Sequence, residues 1–240
     1  MPASPPKPRL TPDQSALDRL EPDRPTQQRK TQDSQPLQPA PAATVVLARP
    51  GRAGDGIEVL LLQRSARLVF HGGHWVFPGG RIDAADFAAA DSPLEYPAAR
   101  KAALRETREE TGIRIDEDSL IHVGHWTTPP GLPRRFATWF FVCPLRQAAE
   151  VRVDQDEIRD HRWLTPRQAL LDAREEVLVL PRPTRITLSD ISVYDDLEQL
   201  EQGLKTRPIR VFPPDSEHYR PAESGCPSLR QNDGEGLAQR

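Results

Sequence analysis

Arg105-Glu106-Thr107-Arg108-Glu109-Glu110-Thr111-Gly112-Ile113 sets three acidic residues at i, i+3 and i+4. On a helix these carboxylates share an arc of about 100°. Ala99, Ala103 and Thr107 fall on another side and are small enough to let the helix lie close against a sheet. Like charges about 6 Å apart repel by roughly 3 kcal/mol per pair at an effective dielectric near 20, so a bare trio costs stability. A hard divalent cation removes that cost. Magnesium takes oxygen ligands, keeps several waters and is commonly shared with substrate phosphates. The plainer alternative is a solvated face of mixed Arg and Glu, with Arg105 and Glu109 as an i,i+4 pair worth a few tenths of a kcal/mol. The flanking sequence separates the two readings.

Upstream, Phe77-Pro78-Gly79-Gly80 must be a turn, because neither a strand nor a helix interior accommodates Pro-Gly-Gly. Before it, Thr44 to Ala48 and Ile57 to Gln63 read as a hairpin around the Gly-rich stretch from Gly51 to Gly56. Pro97 supplies a first helical position, Ala98 to Thr111 the helix, and Gly112 a left-handed cap. Downstream, Ser119 to Thr127, Arg135 to Leu145 and Glu157 to Leu164 are rich in β-branched and aromatic residues and read as strands. Thr165-Pro166 starts a helix that runs to about Glu176, and a last helix spans Ser189 to Gly203. Interleaved strands and helices with short apolar runs point to an α/β fold, a mixed β-sheet flanked by helices on both faces.

Composition sets the outer limits. The first 41 residues hold ten prolines and no Val, Ile, Phe, Tyr, Trp or Cys, too little apolar surface to offset ordering entropy, so residues 1–42 read as a disordered tail. Large apolar residues thin out again after Pro213, and 214–240 reads as a flexible tail, leaving 43–213 as one domain. No apolar run is long enough for a bilayer span or a signal peptide, and the C-terminal Leu237-Ala238-Gln239-Arg240 carries no peroxisomal address, so the expected address is cytoplasmic. A formal charge of -3 argues against a general nucleic-acid or anionic-membrane binder. Cys143 and Cys226 form neither a disulfide framework nor a zinc cluster. Trp75, Trp126 and Trp139 read as core residues before base-stacking platforms, and His71, His74, His122 and His125 lack metal-ligand spacing.

A strand, a tight glycine turn and an acidic helix in this order resemble the Nudix box, whose family pattern runs G-x5-E-x7-R-E-U-x-E-E-x-G-U with U a bulky aliphatic. From Arg105 to Ile113 the match fails only at Thr107, which replaces an aliphatic residue. The front half departs further. Counting six from Gly80 reaches Asp86 in place of Glu, with Glu95 a rival, and 18 residues separate Asp86 from Arg105 where the pattern has seven, an insertion of eleven. Leu60-Leu61-Leu62-Gln63-Arg64-Ser65, Gly73 and Phe77-Pro78-Gly79-Gly80 look like the signature of the coenzyme A-directed Nudix branch, with Val69 where that signature has Arg. The lengthened box, Trp126-Thr127-Thr128-Pro129, Arg134-Arg135-Phe136, Pro183-Thr184 and Thr187-Leu188 are similar to the acyl-coenzyme A diphosphatase branch. The likeness covers Thr44 to Pro213.

The resemblance implies a Nudix-type α/β/α sandwich and hydrolysis of a nucleoside diphosphate linked to another moiety, with coenzyme A or an acyl derivative as the first candidate. It implies Mg2+ or Mn2+ on Glu106, Glu109 and Glu110, with Arg105 orienting a neighbouring carboxylate. Glu110 and Glu157 are rival general bases, the latter within the acidic run Asp154, Asp156, Glu157. Gly79, Gly80, Arg64, Arg134 and Arg135 are the substrate-binding candidates, since guanidinium groups pair with phosphate oxygens. The expected partner is a small nucleotide-type molecule, with a homodimer left open. ADP-ribose or another nucleotide as substrate, and a Nudix module that has lost catalysis and senses a ligand, are the competing functions.

Overall fold

The computed structural model describes residues 37–52, 56–67, 72–147, 149–153 and 155–227. The expected tail over residues 1–36, the tip of the Gly-rich turn, Val69, His71, Asp154 and residues 228–240 lie outside the described residues.

Eight strands form one mixed sheet: β1 (Ala40–Pro50), β2 (Ile57–Arg64), β3 (Trp75–Val76), β4 (Gly79–Arg81), β5 (Ile121–Thr127), β6 (Phe136–Pro144), β7 (Ile158–Leu164) and β8 (Arg210–Phe212). The order β3-β2-β1-β6-β5-β8 is the main path, with β4 paired to β1 and β7 to β2. The expected hairpin is present, with Ala48 opposite Val59 in antiparallel register. β1 lies parallel to β6, from Ala40 opposite Phe136 to Ala48 opposite Pro144. As the central strand, β1 buries both faces: Val45 and Leu47 face one hydrophobic cluster, Val46 and Ala48 the other.

The helices divide accordingly. On one face lies α2 (Glu95–Thr111), whose Ala98, Ala99, Ala102 and Ala103 pack with Ala43, Val45, Leu47, Trp139 and Phe141. The short α1 (Ala84–Ala89) precedes it. On the other face, α3 (Pro166–Arg174), α4 (Arg182–Ile191) and α5 (Leu197–Thr206) bury Ala169, Leu188, Ile191, Leu200 and Leu204 against Val46, Val59, Leu61 and Val142. Helices thus cover both faces of a mixed sheet, as the sequence pattern requires. Among the described residues no helix is long and apolar enough to cross a membrane.

Boundaries moved where local chemistry competes with periodicity. The stretch from Ser189 to Gly203 is broken at Ser192–Asp196, because the Asp196 side chain accepts the Gln199 N–H at 2.8 Å and so starts a new helix. α2 begins at Glu95, two residues before Pro97; a proline in the first turn removes an N–H that has no intrahelical partner. Gly112 closes α2 at φ 71°, the left-handed cap expected of it.

Ordered packing also continues past Pro213, the expected edge of the domain. Ser224 accepts the Tyr96 N–H at 2.9 Å, Ser216 bonds Thr127, and the Tyr219 ring stands 5.1 Å from His125 and 5.6 Å from Trp139. A register shift between His122 and Gly124 makes this possible, since the bulge turns His122 and His125 toward the same face. Trp75, Trp126 and Trp139 pack in or against the cores; Trp139 is fully buried and Trp126 stacks on Phe212 at 3.8 Å.

His125 is fully buried and neither ring nitrogen has a hydrogen-bond partner. Burial first, and then His122 and His218, push its pKa down to about 3. The neutral ring is the stable form, so this contribution is complete above the unfolded value near 6.5 and is lost as pH falls from there toward 3. The unfolding free energy from urea titrations should therefore drop across that window by an amount on the order of a few kcal/mol in excess of general acid destabilisation. His125→Phe should flatten the drop. Parallel pH profiles for the two proteins would show that His125 does not govern it.

Candidate active site

The site lies where β4 meets the second half of α2. β4 pairs with β1 through Thr44 opposite Gly79, Ala43 opposite Gly80 and Ala42 opposite Arg81. The Pro78 carbonyl accepts from Val45 N–H at 2.9 Å and Thr44 Oγ1 at 2.7 Å, so the turn expected over residues 77–80 is only a bend at Pro78, and Gly79 and Gly80 are strand residues held by β1. A Cβ at Gly79 would run into the Ala43 carbonyl and Thr44 backbone, and one at Gly80 into the Glu106 carboxylate. Gly80→Ala should therefore push the Glu106 carboxylate aside with little loss of stability, since only the end of a flexible side chain must move, and lower turnover at least tenfold. Wild-type kcat in the Ala variant would show that Glu106 needs no such seat.

Arg105 organises the acidic face. Its Nε and Nη2 donate to Asp86 Oδ1 and Oδ2 at 3.0 and 2.9 Å, and Nη2 also donates to the Arg81 carbonyl at 3.0 Å. Nη1 donates to Glu106 Oε1 at 2.8 Å and Glu109 Oε2 at 3.0 Å. All five guanidinium N–H donors thereby have an acceptor. Asp86, only 3% exposed, also accepts the Asp83 N–H at 2.8 Å. The pairing with Asp86 raises the Arg105 pKa further still, so it is a permanent cation.

The three box carboxylates differ in setting. Glu109 is exposed, Glu106 is mostly buried, and Glu110 has a side chain only 7% exposed. Glu110 Oε2 accepts the Gly79 N–H at 2.9 Å, and Arg64 Nη1 stands 3.9 Å from Oε1. Burial pushes the Glu110 pKa up to about 8; the Gly79 bond and Arg64 oppose this, while Glu106 and Glu157 add to it. Burial likewise raises the Glu106 pKa against the pull of Arg105. Arg64 Nε is buried and without a hydrogen-bond partner, beside this acidic pocket.

Glu157 is exposed at the entry to β7, where its carbonyl accepts the Ser65 N–H at 2.7 Å. Glu106, Glu109, Glu110, Arg105, Gly79, Gly80 and Arg64 are therefore assembled in one place, with Glu157 near enough to act on Glu110 electrostatically. Arg135, expected to meet substrate, is buried, with Nε donating to the Thr128 carbonyl at 3.0 Å and Nη1 to the Leu37 carbonyl at 2.7 Å, so it braces the loop. Arg134 is exposed on that same loop. The rivalry between Asp86 and Glu95 is also resolved, since Asp86 holds Arg105 while Glu95 Oε1 accepts the Trp139 Nε1–H at 2.7 Å. The count of six from Gly80 was the available signal for Asp86; its partnership with Arg105 across the insertion had none.

Among the described residues no three carboxylate, imidazole or thiol groups converge as a finished metal cage. Arg105 Nη1 bridges Glu106 and Glu109, and Glu110 turns inward to Gly79. The donor set nevertheless suits a hard divalent cation: all oxygen, on one rigid helix, with two carboxylates that burial makes reluctant to carry an uncompensated charge. Magnesium and manganese sites are commonly completed by water and substrate phosphate, so an incomplete protein cage fits them.

A glycine pair seating an acidic helix in an α/β/α sandwich is the Nudix arrangement, and the family model for the NUDIX domain matches residues 38–181. The chain belongs to the Nudix family. It is 26% identical over 204 residues to Putative nudix hydrolase 7 of Caenorhabditis elegans, covering 70% of this chain and 66% of that protein. It is 25% identical over 244 residues to the acyl-coenzyme A diphosphatase NUDT19 of Xenopus laevis, covering 63% and 64%. The chain thus spans about two thirds of the length of these curated relatives. A crystal structure of a NUDIX hydrolase from Alicyclobacillus acidocaldarius superposes with a TM-score of 0.61 at 27% identity, covering 69% of this chain and 96% of that one.

Proposed function

We propose that this protein is a divalent-metal-dependent pyrophosphohydrolase that cleaves a nucleoside diphosphate linked to another moiety, with coenzyme A or an acyl-coenzyme A as its substrate. The observation that carries this reading is the seating of Glu106 and Glu110 on Gly80 and Gly79, with Arg105 tying Glu106 and Glu109 to Asp86. The Xenopus relative's name supports the coenzyme A assignment, as does the sequence from Leu60 to Gly80.

Glu106, Glu109 and Glu110 would hold Mg2+ or Mn2+, which when bound polarises the pyrophosphate and acidifies water. Arg105 fixes the orientation of Glu106 and Glu109 at a constant positive charge. The small glycines let the phosphate chain approach the β4 backbone. Arg64, whose Nη1 lies 3.9 Å from Glu110, would pair a phosphate oxygen and offset charge that grows on the leaving group. Glu110 or Glu157 takes the proton from the attacking water. Glu157 is the more accessible of the two, while Glu110 is buried with a pKa of about 8 and would act as base in its deprotonated form.

Parallel incubation with coenzyme A, ADP-ribose and NADH in Mg2+ or Mn2+, read by mass spectrometry, tests the assignment. Formation of 4'-phosphopantetheine and adenosine 3',5'-bisphosphate, abolished by EDTA and restored by added Mg2+, is the expected result. Products from ADP-ribose alone would move the substrate, and no product from any of them would favour a ligand-sensing module.

A further inference from the structure

Ser65 follows directly on β2 and is only 2% exposed. Its N–H donates to the Glu157 carbonyl at 2.7 Å, and its Oγ accepts from Arg159 Nε at 3.4 Å. Its neighbour Arg64 places Nη1 3.9 Å from Glu110. The end of β2 therefore meets two acidic residues at once: Glu110 of α2 through the Arg64 side chain, and Glu157 through the Ser65 backbone.

The strand register explains how Glu157 arrives there. Along β2, Leu60, Leu62 and Arg64 share one face, and Leu60 and Leu62 pack in the cluster under α2. Opposite them on β7 stand Trp163 and His161, so an unbroken ladder would next set Arg159 opposite Arg64. Two guanidinium groups would then share that face. A bulge between Gln63 and Arg64 sets Ile158 opposite Arg64 instead. Ile158 is fully buried in the same cluster, and Arg159 leaves the ladder for the Ser65 hydroxyl. Glu157 becomes the first residue past the ladder, next to Ser65. Gln155, just before it, has φ 68°, in the left-handed region, so the chain bends sharply into this position. On its other side the segment is tied to the end of α2, where Arg152 N–H donates to the Thr111 carbonyl at 2.8 Å.

We infer that Ser65 is a positioning residue: by holding the β7 bulge it fixes Glu157 beside Arg64 and Glu110. This rests on the proposed hydrolysis and narrows it, since turnover then depends on where Glu157 is held as well as on its carboxylate. Rate is a steep function of placement, and about 1 Å of misplacement can cost on the order of 100-fold. Loss of the Ser65 hydroxyl frees Arg159 and leaves position 65 its backbone bond to the Glu157 carbonyl, so the displacement expected from that change is smaller.

Steady-state kinetics of Ser65→Ala, Ser65→Thr and Arg159→Ala, on the substrate that the wild type hydrolyses, test the role. Ser65→Ala removes one oxygen from a buried site and Arg159 is exposed, so neither change threatens the fold. Each Ala variant should lower kcat about fivefold with KM within about twofold, and the two together should cost no more than either alone. Ser65→Thr keeps a hydroxyl and should restore most of the rate. In a Glu157→Gln background Ser65→Ala should cost nothing further. Wild-type kcat in Ser65→Ala, a loss confined to KM, or an undiminished loss in the Glu157→Gln background would each overturn the inference while leaving the proposed hydrolysis intact. Amide hydrogen exchange is read without turnover: residue 65 should exchange about tenfold faster in Ser65→Ala while residues 98–111 keep their protection. If the wild type hydrolyses nothing offered to it, the proposed activity fails, and this exchange decides by itself whether Ser65 holds the Glu157 segment; unchanged protection at residue 65 overturns that as well.

Discussion

Glu110→Gln should lower kcat by about 100- to 10,000-fold at saturating Mg2+ while the protein remains folded. The amide keeps an oxygen that can accept the Gly79 N–H, so Gly79 stays seated, but a neutral group neither binds a cation strongly nor accepts a proton. The same variant has a second expected effect. In cation-free buffer the wild-type Glu110 carboxyl, with a folded pKa of about 8 against an ordinary 4.5, favours the fold while protonated. That contribution is complete below about 4.5 and is lost as pH rises through 8, because the folded state must then accept a buried charge. Chemical denaturation without metal should thus show wild-type stability declining across this window, with Glu110→Gln lacking the decline. Equal slopes, or near-normal turnover in the variant, would remove Glu110 from the centre. Glu157→Gln, made alongside, assigns the base: a comparable fall in kcat gives Glu157 the role, and an unchanged rate clears it of it.

Asp86→Ala is the second large effect. Asp86 is almost wholly buried and accepts two of the five Arg105 bonds, so its loss leaves two donors of a partly exposed guanidinium without protein acceptors, at a cost of about 1–3 kcal/mol. Since Arg105 Nη1 also sets Glu106 and Glu109, turnover should drop by roughly 10- to 100-fold, with a higher Mg2+ concentration needed for half-maximal rate. Asp86→Asn retains shape and some hydrogen bonding and should fall between the two. Urea midpoints and Mg2+ titrations check both parts. A variant as stable and as active as wild type would mean that Arg105 needs no anchor.

The secondary structure that depends on local chemistry was readable from the residues. Gly112 sits at a left-handed cap because a side chain there would be strained. The i, i+3, i+4 spacing of Glu106, Glu109 and Glu110 likewise follows from the pitch of a helix. Pro78-Gly79-Gly80, expected as a turn, is instead a bend at Pro78 followed by strand residues, because pairing with Thr44 and Ala43 of β1 overrides the local preference of the glycines. Where two local signals compete, periodicity misled: the apolar pattern through Ser189–Gly203 suits one helix, but Asp196 captures the Gln199 N–H and divides it. The C-terminal segment was misjudged for a related reason. Its low apolar content gives no hint that Tyr219 finds a ready-made slot beside His125 and Trp139, opened by a bulge in another strand.

The residues alone determined the acidic helix, its glycine seat and the layered α/β plan, because each rests on backbone preferences and side-chain periods that act over a few positions. Only the tertiary structure decided that Asp86 rather than Glu95 anchors Arg105, that Glu110 is buried with its pKa pushed up, and that Arg135 braces a loop. Those outcomes depend on which charges meet across long stretches of chain and how much water is left around them. Neither quantity is encoded in local spacing.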